Sequence, residues 1–320
     1  MSEQVAQRDE GQVPAEELTV VPLRHPLRWV AVLVLGVLVA MLVHSLLVNP
    51  AWKWDYVRGY FTFSTIVKGI WITVQLTILS MLIGVVLGIV LAVMRMSPNP
   101  ILATCAWAYT FFFRGTPVLV QLLFWFNFAY LFSNLSIGVP FGPSFHTWDT
   151  NALISPFTAA VLGLGLNEAA YMAEIARAGL LSVGAGQGEA AAALGMSRGL
   201  ALRRVILPQA MRVIIPPTGN ETISMLKTTS LVIVISLNDL LGAASDIYNA
   251  NPGLQIPLLV VASLWYLIMT SVLYVAQYFL ERRYGRGSAR VTVQRPGQRL
   301  LARMRAARKQ EPAMGGAARA

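Results

Sequence analysis

Two short runs place carboxylates inside stretches that are otherwise apolar. One reads Asn167-Glu168-Ala-Ala-Tyr171-Met-Ala-Glu174-Ile-Ala-Arg177, the other Pro216-Pro217-Thr218-Gly219-Asn220-Glu221. At helical spacing Asn167, Tyr171 and Glu174 share one face. Glu168 lies 12 residues past Pro156, about 18 Å along a helix at 1.5 Å per residue. A charge at the centre of a bilayer costs roughly 2.5–3.5 kcal/mol on insertion scales, so intramembrane carboxylates face a cavity or a partner. Pro216 and Pro217 remove two backbone donors and predict a kink. Carbonyls freed at membrane depth persist only within protein or beside water. The chemistry on offer is recognition of a polar or charged solute. A structural account stands beside it: Glu174 and Arg177 are close enough to pair, and Glu221 can pair within a packing kink.

Bond-breaking chemistry has little support. Cys105 is the single cysteine, which excludes an internal disulfide and a multi-cysteine metal site. His25, His44 and His146 are far apart with no ligand spacing, and no Gly-x-x-x-x-Gly-Lys-[Ser/Thr] occurs. A membrane-embedded enzyme would need a nucleophile–base pair that the sequence does not offer. The chain is therefore expected to be no enzyme and to bind no cofactor or metal of its own.

The elements that must position these residues are membrane helices. The chain is 56% hydrophobic and 12% charged, against about 25% charged in soluble domains. The fold class is all-α integral membrane, with about six transmembrane helices at about 20 residues each. The candidates are 29–48, 69–94, 117–133, 156–178, 208–227 and 257–280. Residues 101–113 read as an interfacial helix, and 228–250 as a short re-entrant piece around the apolar 231–237. Thr116 is placed to cap the helix that Pro117 begins, with Arg114 at the cytoplasmic headgroups. Gly84 and Gly88 suggest close helix packing.

The leader 1–28 carries Glu3, Asp9, Glu10, Glu16 and Glu17. It reads as a disordered cytoplasmic tail before a span longer than the 7–15-residue core of a secretory signal. Arg24, Arg28, Arg95, Arg114, Arg177, Arg198, Arg203, Arg204, Arg212, Arg282 and Arg283 fall on one side if the spans alternate. Loops 134–155 and 238–256 contain no Lys or Arg. Both termini are then cytoplasmic; Lys53, Arg58 and Lys68 in loop 49–68 are the exception. Eleven of the 25 basic residues lie between Arg282 and Arg319. Beside a membrane span these suit the lipid bilayer and cytoplasmic retention rather than nucleic acid. No internal repeat is found, so a pathway between two similar halves needs a second chain.

The run from Glu189 to Pro208 is too polar and alanine-rich for lipid. Gly188 is expected to break the incoming chain, and Glu189 to Leu194 to form a short helix with an alanine face that lets a partner approach closely. Gly195 suits the left-handed residue that ends it. Ser197 can cap a second helix, with Arg203 and Arg204 at its far end, and Leu207-Pro208 enters the next span. By itself this is an alanine-rich connector. Between two spans and on the basic side, it reads as a knob offered to a soluble partner.

Taken in order, residues 113–117, 167–179, 187–195, 205–210, 216–221 and 226–231 resemble the permease subunits of ABC importers for polar amino acids, the histidine/glutamine/arginine type. The 187–195 run resembles their cytoplasmic EAA loop. The likeness covers about residues 60–283. It implies a five-helix permease core with a coupling loop at 184–207, to which the helix 29–48 and the basic tail 284–320 are additions. It implies a bacterial inner-membrane location, an ABC ATPase subunit that holds the ATP, a second permease chain (identical or homologous) and an extracytoplasmic solute-binding protein. The cargo implied is a polar amino acid. Docking is expected at Glu189, Ala190, Ala191, Leu194 and Gly195. The pathway is expected at Asn167, Glu168, Tyr171, Asn220 and Glu221, with Arg114, Pro117, Glu174, Arg177, Pro208 and Lys227 in structural or gating roles. Two positions depart from the pattern: Thr228 stands where an acidic residue is common, and Asn167-Glu168 where small residues are. An ion-coupled secondary amino-acid transporter, working through Glu168 or Glu221, is the alternative; such proteins often carry the internal repeats missing here.

Overall fold

The computed structural model describes residues 26–139 and 142–284. The leader before Pro26 and the basic tail beyond Tyr284 lie outside the described residues. By its contacts the chain divides at Tyr56 and Val57 into two units. The first contains helix α1 (Pro26–Val48), whose apolar side chains are exposed along its length. Its C-terminal end is closed by the Trp54 indole, which donates to the Leu46 carbonyl at 2.7 Å.

The second unit is helical apart from one hairpin. Helix α2 (Trp54–Phe61) leads into α3 (Ser64–Arg95), α4 (Pro100–Gly115) and α5 (Val118–Phe126). Strands β1 (Asn134–Gly138) and β2 (Ser144–Asp149) pair antiparallel. Then come α6 (Thr150–Leu153), α7 (Pro156–Leu181), α8 (Ala185–Ala193), α9 (Arg198–Ala201), α10 (Leu207–Thr228), α11 (Leu240–Ala250) and α12 (Gln255–Tyr284). α1, α3 and α12 are each long and apolar enough to cross a membrane. A bent pair, residues 198–235 with α11 at 44°, passes the same test together.

α3 lies closest to α7, and small residues permit it. A Cβ added at Gly84 would stand 2.5 Å from Glu168 Cγ, and one at Gly88 2.5 Å from Met172 Cβ. Between apolar helices in lipid, close approach and dispersion supply the attraction that burial from water supplies elsewhere. α7 is also enclosed on its other sides by close neighbours, with Ala159, Ala160, Ala169 and Ala170 fully buried. α3, α11 and α12 are tied together at Asp239. Its carboxylate accepts from the Tyr266 hydroxyl at 2.9 Å and from the Gly242 amide at 2.9 Å, while the Leu240 amide donates to Thr73 Oγ1 at 3.1 Å.

Two expectations need correction. Residues 117–133 are not one span: α5 has nine residues, about 13.5 Å of helix, followed by a 3-10 turn at Phe128–Tyr130. α4, which covers the residues read as interfacial, packs one face on α7, with Ala106 fully buried beside Ala169 and Ala173. The two helices form one broken rod against α7. Leu122 meets Gly163, the Phe113 carbonyl meets Asn167, and Tyr109 donates to the Leu166 carbonyl at 2.8 Å. Neighbours thus run backward from α5 to α4 as α7 runs forward. The fold is of the expected helical class, with the short β1–β2 hairpin as its one pair of strands among the described residues. Finally, Gly188 lies inside α8 and does not break the chain.

α10 continues through Pro216 and Pro217 as an unbroken helix. A π-helical turn, Leu202–Ile206, precedes it, and a 3-10 segment, Thr229–Ile235, follows before the chain reverses at Ser236 with φ 56°.

Candidate solute pathway and docking loop

The break between α4 and α5 carries the site. α4 stops at Gly115 because Pro117 has no N–H to continue it, which leaves carbonyls at its end without helical donors. Thr116 closes α4, its hydroxyl donating to the Phe112 carbonyl at 2.9 Å. Pro117 is the residue before α5, not its first helical position, a shift of one from the expected cap. The released carbonyls are taken up by side chains. Asn167 Nδ2 donates to Phe113 O at 2.8 Å, and Gln121 Nε2 donates to Phe113 O, Thr116 O and Thr116 Oγ1 at 3.0, 3.1 and 2.8 Å. Asn167 Nδ2 also reaches Gln121 Oε1 at 3.3 Å.

A cavity of about 610 Å³ opens beside this break, lined by residues 114–118 together with Asn167, Glu168, Tyr171, Glu221 and Ser224. Glu168 is 4% exposed, and its Oε1 has no hydrogen-bond partner among the described residues. Arg114 lies against Tyr171, its guanidinium carbon 5.3 Å from the ring centroid. A smaller cavity of about 340 Å³ shares Arg114, Gly115 and Tyr171 and adds Arg95, Trp107 and Glu174.

The other pathway candidates divide. Glu174 pairs with Arg177 at 2.8 Å on its own helix. Asn220 faces α12 and accepts from Gln277 Nε2 at 3.0 Å; it does not line the 610 Å³ cavity. Lys227 is exposed in the last turn of α10, and Pro208 sits in its first turn. Gln121, Gln277 and Ser224 escaped the sequence reading. A glutamine five residues past a Thr-Pro break was the available signal for Gln121.

The candidate docking loop is compact. α8 ends in a Schellman motif: Gly195 has φ 73°, Met196 N donates to Ala191 O at 3.0 Å and Gly195 N donates to Ala192 O at 2.9 Å. Ala191 is the buried anchor, while Glu189, Ala190 and Leu194 are exposed, Leu194 at 81%. Ser197 Oγ accepts from the Leu200 amide at 3.4 Å and starts α9. Gln209 ties this loop to α10, donating to Gln187 Oε1 at 3.1 Å and to Val205 O at 3.0 Å.

Residues 84–286 match the family described as "Binding-protein-dependent transport system inner membrane component". The chain is 50% identical over 277 residues to the arginine transport system permease protein ArgU of Corynebacterium glutamicum, covering 86% of this chain and 85% of that one. It is 38% identical to the L-cystine transport system permease protein TcyB of Bacillus subtilis, covering 76% and 95%. A crystal structure of an amino acid ABC transporter with histidines superposes with a TM-score of 0.57 at 37% identity, covering 68% of this chain and 94% of that one. The inward-facing MetNI methionine transporter superposes at 0.56 with 19% identity, over 69% and 97%, which speaks to the fold alone. With its helical core, its broken α4–α5 rod and its exposed Schellman-capped loop, the chain belongs to the family of inner-membrane components of binding-protein-dependent transport systems, as a membrane-spanning permease subunit.

Proposed function

We propose that this permease passes a polar amino acid, delivered by an extracytoplasmic binding protein, through an ATP-driven importer of the inner membrane, and that the preferred amino acid is cationic. The observation that carries the reading is Glu168: a carboxylate oxygen buried at the 610 Å³ cavity with no partner. A solute ammonium or guanidinium supplies the missing donor. Glu221 lines the same cavity and adds a second negative group. Arg114, across from them, suits the carboxylate of a zwitterion. Relatives named for arginine and cystine transport agree with a polar amino-acid cargo.

ATP belongs to a separate ATPase subunit, which docks on Glu189, Ala190, Ala191, Leu194 and Gly195. A second permease chain completes the pathway against the exposed face of α10 that carries Ser224 and Lys227. Both termini are cytoplasmic. The test is uptake by proteoliposomes holding permease and ATPase, with binding protein outside and ATP inside, competed with a panel of amino acids. Arginine and lysine should compete best. Equal competition by glutamate, or uptake without ATP that follows an ion gradient, would overturn the proposal.

A further inference from the structure

Apolar space runs along α10 between α3 and α12. Cavities of about 650 and about 560 Å³ share Val85, Thr218 and Thr222, so they join into one groove. Its α3 wall runs from Val74 to Val93, about 28 Å of helix, close to the roughly 30 Å hydrocarbon thickness of a bilayer. Ile78, Leu82 and Val272 on its rims are exposed, so the groove opens sideways to lipid. This space lies on a different face of α10 from Glu221 and Ser224.

Gln277 gives the groove a chemical preference. The side chain is 9% exposed and lines the inner half. Its Nε2 faces three acceptors, Pro216 O at 3.3 Å, Asn220 Oδ1 at 3.0 Å and Glu281 Oε1 at 2.8 Å. That network fixes which end of the amide is nitrogen. Oε1 is left buried without a donor, and native interiors rarely leave an acceptor so. The Thr218 and Thr222 hydroxyls cannot help, because they donate to Ile214 O and Thr218 O. Further toward the inner end the groove is lined by Leu202 and Tyr284. Arg203 and Arg283, next to them in sequence, do not line the groove but are exposed, and neither is ion-paired among the described residues. From the middle toward that end the groove thus offers an apolar wall, then an acceptor, then two nearby cations against the one carboxylate of Glu281.

We propose that this groove binds an anionic lysophospholipid. The acyl chain lies between α3, α10 and α12, the free glycerol hydroxyl donates to Gln277 Oε1, and the phosphate reaches Arg203 and Arg283, whose long stems span the remaining depth. Chain, hydroxyl and phosphate occur in that order along the lipid, as the groove requires. The test is native mass spectrometry of the full-length chain in detergent with added lysophosphatidylglycerol or lysophosphatidylcholine, alongside thermal unfolding. Wild type should retain one lysophosphatidylglycerol per chain, about tenfold in preference to the choline lipid, and only the former should raise its unfolding temperature. Gln277→Met should lower retention about tenfold, and Arg203→Gln with Arg283→Gln should remove the preference over choline. Equal retention and equal stabilisation of wild type by both lipids would overturn the proposal without any variant. Retention by Gln277→Met at the wild-type level would do the same. So would a disulfide formed readily between two copies carrying Cys at position 272, since a second permease would then fill the groove.

Discussion

The guanidinium of Arg114 stacks 5.3 Å from the ring centre of Tyr171, and both residues line two cavities at once. The larger cavity holds Glu168 and Glu221, the smaller one Arg95 and Glu174. The pair is placed as a partition between them, resting on the Gly115–Pro117 break on one side and on α7 on the other. A cation over an aromatic face is worth about 0.5–2 kcal/mol, so the contact can hold at rest and still break readily.

Tyr171→Phe keeps the ring and should retain most ATP-driven uptake. Tyr171→Leu removes the ring at similar volume, and uptake per ATP hydrolysed should fall severalfold. The check is to measure transport and hydrolysis in the same proteoliposomes. Equal coupling ratios in the two variants would show that the stack plays no part in the partition.

Gly84→Ala should destabilise the permease by about 1–3 kcal/mol, the usual cost of overpacking. Its Cβ would stand 2.5 Å from Glu168 Cγ and 2.9 Å from Glu168 Cβ, so the helices must separate. Gly36→Ala is the control, because nothing lies within 4 Å of that position. Thermal unfolding in detergent should show a clear loss for the first and none for the second.

Gly195→Val forces a β-branched residue to φ 73°, where non-glycine residues pay roughly 1–2 kcal/mol. The Schellman hydrogen bonds at the end of α8 should be lost, and with them the surface of Glu189 and Ala190. Co-purification with the ATPase should drop while the permease itself stays folded. Gly195→Asn, which tolerates the left-handed region, should recover much of the binding. Undiminished ATPase capture by the valine variant would remove this loop from the docking role.

What the sequence disclosed, and what it hid, follows from range. The Schellman turn at Gly195, the cap at Ser197 and the Glu174–Arg177 pair are set within a few residues, and local chemistry predicts them. Long apolar runs likewise betrayed α1, α3 and α12. The α4–α5 rod was misread because its continuity depends on a third element. Asn167 and Gln121 satisfy the carbonyls freed at residues 113–116, and nothing near residue 115 announces a partner some 50 positions away. The hairpin at 134–149 was missed because a short loop segment between apolar runs has no membrane signal. Asn220 was assigned to the pathway by its neighbour Glu221. One residue on a helix turns by about 100°, and that turn sends it to Gln277 instead.

Glu168, Glu221 and Asn220 can therefore be separated by experiment. Glu168→Gln keeps size and one acceptor but removes the charge, and Glu221→Gln does the same across the cavity. Each should reduce uptake of a cationic amino acid by tenfold or more, since a charge-assisted hydrogen bond is worth about 1.5–3 kcal/mol. Competition should then shift toward neutral amino acids, because the loss falls on the cationic solute alone. Asn220→Ala should behave differently. It removes an acceptor of Gln277 and so should lower the unfolding temperature slightly while leaving the order of competing amino acids unchanged. The measurement is uptake against a fixed panel in proteoliposomes with saturating binding protein, with thermal unfolding of each variant alongside. An unchanged panel order in both glutamine variants would exclude the two carboxylates from solute recognition. A changed order in Asn220→Ala would return that residue to the pathway and require α10 to rotate toward the cavity during transport.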